Sequence, residues 1–97
     1  ATQIGSSLVG VLYILDEPEN SLSCKLQQEL ARFIESSAKY CGCQFIIATH
    51  SPFLLALPHA RIYNLDAEPA GISQFWELPN MRSYYELFHQ FESEFHK

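Results

Sequence analysis

Two adjacent acids, Asp16 and Glu17, close an apolar run and are the residues of this sequence best placed to do chemistry. In α/β sheets ligands gather at the carboxyl ends of strands, so a pair of carboxylates left there needs a reason. In phosphate chemistry the first carboxylate can hold Mg²⁺, directly or through water, while the second polarises or orients the attacking water. Neighbours on an extended strand point in different directions, and adjacent positions can therefore divide those tasks. A second set, Thr49-His50-Ser51, ends the next apolar segment and brings an imidazole and two hydroxyls to the same sheet edge. Taken singly, each set has a plainer reading, with His50 as a structural histidine and the two acids as caps of the next turn. Their joint placement favours a site.

The elements that must position these residues follow from periodicity. Leu8 to Leu15 is uninterruptedly apolar, as in a strand buried on both faces, and points to a parallel α/β sheet. Pro18 to Ser23 supplies turn residues, with Ser21 or Ser23 able to cap a following helix. On that helix Leu22, Leu26, Leu30, Phe33, Ile34 and Ser37 share one face, and Gly42 stands where a left-handed C-terminal cap belongs. Gln44 to Thr49 begins a second buried strand, completing a β-α-β unit. Beyond His50-Ser51-Pro52 the spacing predicts one or two helical turns over Phe53 to Leu57 and a third strand over Arg61 to Leu65. A turn, an antiparallel edge strand from Ile72 to Trp76 and a closing helix complete the chain. Met81, Tyr84, Tyr85, Phe88, Phe91 and Phe95 mark one face of that helix, and Ser83 with Glu86 forms a capping box. One domain, residues 1–97, is expected.

Composition narrows the function. The 97 residues are 47% hydrophobic and 18% charged, enough apolar material for one small domain and unlike a disordered chain. Six basic against eleven acidic residues give a net charge of -5, which leaves no basic face for phosphate backbones, and no direct nucleic-acid binding is expected. The aromatic helix lacks the basic funnel of a base-stacking platform and reads as core or partner interface. No apolar run approaches the roughly 20 residues of a membrane span. The first residues lack the charge and apolar core of a signal peptide, so a cytoplasmic location is expected. Three cysteines make no complete disulfide framework, and Cys41 and Cys43 lack the second ligand pair of a zinc site. His50-Ser51 is not a hydrolase dyad, because adjacent residues point apart and no G-x-S-x-G is present.

These motifs together resemble the ABC-type ATPases, most closely the soluble, non-transporter branch with an Asp-Glu-Pro-Glu Walker B motif. Leu12-Tyr13-Ile14-Leu15-Asp16-Glu17 resembles the Walker B strand. Pro18-Glu19-Asn20-Ser21-Leu22-Ser23 resembles the D-loop, and Ile46 to Pro52 the switch-histidine segment. The resemblance covers roughly residues 8 to 57. It implies that Asp16 belongs to a Mg²⁺ site, that Glu17 is the catalytic base or positions water, and that His50 contacts the γ-phosphate. It also implies that Asn20, Ser21, Leu22 and Ser23 face a partner protomer. Ser23 stands where transporter-type D-loops usually end in Asp.

The G-x-x-x-x-G-K-[ST] phosphate loop is absent, and Gly5-Ser6-Ser7, followed by no lysine, reads as a bend before the strand. The resemblance therefore implies the C-terminal half of an ATPase head, a partial P-loop NTPase sheet of parallel strands with flanking helices and a C-terminal helix. Mg²⁺ and ATP would be the cofactors of the complete domain, with no tight binding by the isolated chain. Expected partners are a Walker A half or a second protomer, through a homo-oligomer or swapped dimer. The competing expectation is a non-catalytic interaction module that associates through a strand edge or the aromatic helix.

Overall fold

The apolar run before the acids forms strand β1 (Leu12–Asp16) in a computed structural model that describes residues 10–97. Leu8, Val9 and the Gly5-Ser6-Ser7 bend lie outside the described residues. β1 pairs in parallel with β2 (Gln44–Ala48), with Leu12 opposite Gln44 and Asp16 opposite Ala48. Exposure alternates along both strands. Tyr13, Leu15, Phe45 and Ile47 lie on the half-buried face, where the Tyr13 and Phe45 rings stack with centroids 5.2 Å apart. Ile14 and Ile46 occupy the other face, 74% and 61% exposed. Burial on both faces is therefore not observed: among the described residues one face is covered, which gives the alternation of a sheet packed on a single side.

Helix α1 (Cys24–Cys41) connects the strands. Ser23, in extended conformation, accepts the Leu26 N–H at 3.2 Å, one of the orphan donors of the first turn. Gly42 ends the helix at φ 66°, left-handed as its position predicts, and the Cys43 N–H returns to the Ser37 carbonyl at 3.2 Å. Ile34 and Ser37 are buried, whereas Leu26 and Phe33, on the same predicted stripe, remain half exposed. Among the described residues this sheet has two strands, too few to cover the whole stripe. After Ser51 comes the short helix α2 (Pro52–Leu55), which begins with proline and buries Leu54.

The chain divides into two compact units, with the boundary after His59. In the second, β3 (Ile62–Asn64) pairs antiparallel with β4 (Gly71–Ser73), Tyr63 opposite Ile72. The turn between them is held by the Asn64 side chain, whose Oδ1 accepts the Asp66 N–H at 3.0 Å. The strand expected through Trp76 stops at Ser73, because Phe75–Glu77 folds into a 3-10 turn capped by Gln74 and Glu77. Helix α3 (Pro79–Gln90) starts one turn earlier than Ser83, with Pro79 in its first turn. Ser83 and Glu86 thus lie inside the helix and form no capping box. The helix breaks at Phe91 and a last turn, α4 (Glu92–Phe95), follows. Leu78 and Met81 are buried in this unit, while Tyr84, Tyr85, Phe88, Phe91 and Phe95 are exposed. Among the described residues no helix is long and apolar enough to cross a membrane.

Candidate functional site

The in-register pairing of two parallel strands sends both chain exits out of the same sheet end, and the candidate residues follow from it. Asp16 is the last residue of β1, opposite the last residue of β2. The next amide extends the ladder, with Glu17 N–H donating to the Ala48 carbonyl at 2.7 Å. Glu17 then turns the chain sharply at φ 46°, a left-handed conformation uncommon for a residue with a Cβ. Two tight turns follow, with Asn20 N–H on the Glu17 carbonyl at 3.1 Å and Leu22 N–H on the Glu19 carbonyl at 2.9 Å. Ser21, also at positive φ, lies between them. The side chains of Asp16, Glu17 and His50 are exposed, as are Asn20, Ser21 and Ser23, while Leu22 is half-buried.

Glu19 joins the two loops. Its Oε1 accepts the Thr49 hydroxyl at 2.6 Å and its Oε2 accepts the His50 N–H at 3.0 Å. Burial opposes the charge on this carboxylate. Hydrogen bonds from Thr49, from the His50 N–H and from its own N–H, together with the nearby His50 ring, outweigh that cost and hold the carboxyl below the usual glutamate range. Thr49 Oγ1 in turn accepts the Ser51 N–H at 3.0 Å.

A second bridge lies behind the first. The buried Ser51 hydroxyl donates to Gln27 Oε1 at 2.7 Å, and Gln27 Nε2 donates to the Leu22 carbonyl at 3.0 Å. A carbonyl accepts only, so the amide must turn its nitrogen to Leu22 and its oxygen to Ser51. The loops after β1 and β2 are thus tied together at both ends. Sequence reasoning brought Asp16, Glu17, Thr49, His50 and Ser51 to one edge, and the strand register agrees. It placed Glu19 only within the Asp-Glu-Pro-Glu and D-loop-like segments, without a contact of its own, and gave no role to Gln27; both turn out half-buried.

Residues 3–56, more than half of the chain, match the model of a family described as "AAA domain, putative AbiEii toxin, Type IV TA system". The matched stretch takes in β1, α1, β2 and α2, and with them every candidate residue. It is the nucleotide-binding, P-loop NTPase-related class to which the parallel β-α-β unit corresponds. The chain belongs to this AAA-domain family. No curated protein and no solved structure matches the chain.

Proposed function

We propose that the chain supplies the Walker B, D-loop and switch-histidine segments of an ABC-type ATPase head whose phosphate loop comes from elsewhere. The observation that carries this reading is the shared exit of β1 and β2, with Asp16, Glu17 and His50 exposed on the two loops that leave it and Glu19 of the first loop bonded to Thr49 and His50 of the second.

The donor set suits a magnesium nucleotide. Mg²⁺ is commonly held through one or two carboxylates together with substrate phosphates rather than by an all-protein cage. Among the described residues there is no group of three or more metal-ligating side chains, and Asp16 makes no side-chain hydrogen bond or ion pair that would compete for its carboxylate. On this reading Asp16 would hold the ion, directly or through water. When bound, the ion neutralises charge on the phosphates. Glu17 accepts a proton of the attacking water and orients it, and His50 donates a hydrogen bond to the γ-phosphate. Asn20 to Ser23 face a partner protomer. Without a phosphate loop the isolated chain binds nucleotide weakly and turns over little.

Calorimetric titration with Mg-ATP, with turnover measured in parallel, tests this. Weak binding that disappears in Asp16→Asn is expected. Tight binding unaffected by Asp16→Asn and His50→Ala would place the nucleotide elsewhere and contradict the reading. Appreciable turnover by the pure chain, lost in Glu17→Gln, would contradict its incompleteness.

The exposure of Trp76, Tyr85, Phe88, Phe91 and Phe95 favours a second reading, a non-catalytic interaction module. Phe75, Trp76, Met81, Arg82 and Tyr85 line a shallow groove of about 230 Å³ in the same unit. On this reading Phe88→Ala or Phe91→Ala weakens association while Glu17→Gln and His50→Ala leave it unchanged.

A further inference from the structure

The loop that carries His50 contains few contacts of its own that would fix the imidazole. Its geometry depends on what grips its backbone, and two groups from outside the loop do so. Both oxygens of Glu19 are spent on it, one on the Thr49 hydroxyl and one on the His50 N–H. Gln27 holds the next residue through the Ser51 hydroxyl, and Ser51 is 3% exposed with its hydroxyl satisfied by that bond. The same two residues hold the loop after β1, Glu19 as a member of its turns and Gln27 through the Leu22 carbonyl.

We propose that Glu19 is a positioning residue that locks the His50 loop to the Asp16–Glu17 loop, with Gln27 as the second anchor of the same lock. Its functional consequence rests on the reading of His50 as a phosphate contact; the structural lock does not. Each oxygen of the Glu19 carboxylate already accepts a hydrogen bond from the His50 loop, so its described work is to hold that loop. A displacement of the turn at Asn20 to Leu22 is transmitted to His50 through these bonds, since Glu19 and Leu22 belong to that turn. A partner that presses on Asn20 to Ser23 therefore changes the place of His50 without touching it.

The choice of variants follows from the hydrogen-bond inventory. Glu19→Ala leaves the His50 N–H and the Thr49 hydroxyl without their acceptor. Glu19→Gln can restore both contacts without charge: its carbonyl accepts the His50 N–H while its amide nitrogen donates to Thr49 Oγ1, which retains a free lone pair. Thr49→Val removes the hydroxyl that links Glu19 to Ser51, and Thr49→Ser keeps it.

The test is made on the full chain by NMR. Amide exchange at His50 and Ser51 is expected to accelerate roughly tenfold or more in Glu19→Ala, the scale of losing a hydrogen bond to a charged acceptor. Glu19→Gln recovers most of that protection, and Thr49→Val loosens Ser51 while Thr49→Ser does not. Unchanged exchange in Glu19→Ala, or Glu19→Gln as loose as Glu19→Ala, overturns the proposal. If Glu19→Ala fails to fold, the contrast between Thr49→Val and Thr49→Ser decides in the same way. The His50 ring signals are then followed during titration with Mg-ATP. In the intact chain they shift with nucleotide, and in Glu19→Ala that response falls several-fold while the response at Asp16 persists. A silent His50 ring in the unsubstituted chain sinks the nucleotide reading and leaves the exchange result to judge the lock alone.

Discussion

Glu19 titrates in opposition to two influences, burial that favours its neutral form and four interactions that favour its charge, and the charge prevails. Its folded pKa is depressed, so its contribution to stability is present above the unfolded glutamate value and fades as pH falls through the folded one. Chemical denaturation of the first unit's signals is expected to show an acid loss of stability that is smaller in Glu19→Gln, which has no proton to bind. An equal acid loss in that variant contradicts the assignment. Glu17 raises a different issue at the same scale. At φ 46° its backbone carries the penalty of a left-handed conformation, which only a residue without Cβ escapes. Glu17→Gly is expected to be more stable than Glu17→Ala by about 1 kcal/mol, despite the added chain freedom of glycine. The reverse order, read by urea titration, would mean that the turn is not held there. Strain of this kind tends to sit at functional positions.

At the scale of elements, α1 is the frame that joins the two site loops, and its ends are defined by single residues. Ser23→Ala removes the acceptor of the Leu26 N–H and is expected to cost about 1 kcal/mol. Gly42→Ala places a Cβ in open space but in the left-handed region, so its similar cost is conformational and not steric. Thermal denaturation measures both, and a neutral Gly42→Ala contradicts the cap. These features are legible in the sequence because they are local: the end of periodicity at Gly42, the pair of serines before it begins, of which Ser23 is the cap, and the apolar runs ending in Asp16 and Thr49. The helix start at Pro79 was less legible, since Ser83 with Glu86 imitates a start that the proline pre-empts. The one-sided burial of β1 could not be read either, because an unbroken apolar run states what a strand tolerates and not what covers it. The Glu19 and Gln27 bridges join positions about 30 and 24 residues apart in the chain. No periodicity signals such contacts.

For the whole molecule, the first unit offers an open sheet face with Ile14 and Ile46, and the second offers an exposed aromatic helix. Both are apolar surfaces on a chain of net charge -5. Light scattering is expected to show concentration-dependent association, reduced by Ile14→Ser or by Phe88→Ala according to which surface drives it; a monomer at every concentration contradicts either role. The central claim is that Asp16, Glu17 and His50 form one phosphate-metal site, and paramagnetic broadening by Mn²⁺-ATP reads it most directly. The account predicts that the amides of Asp16, Glu17 and His50 broaden together and that Asp16→Asn abolishes the effect at all three. Broadening confined to Glu92 and Glu94, or unchanged by Asp16→Asn, would contradict it.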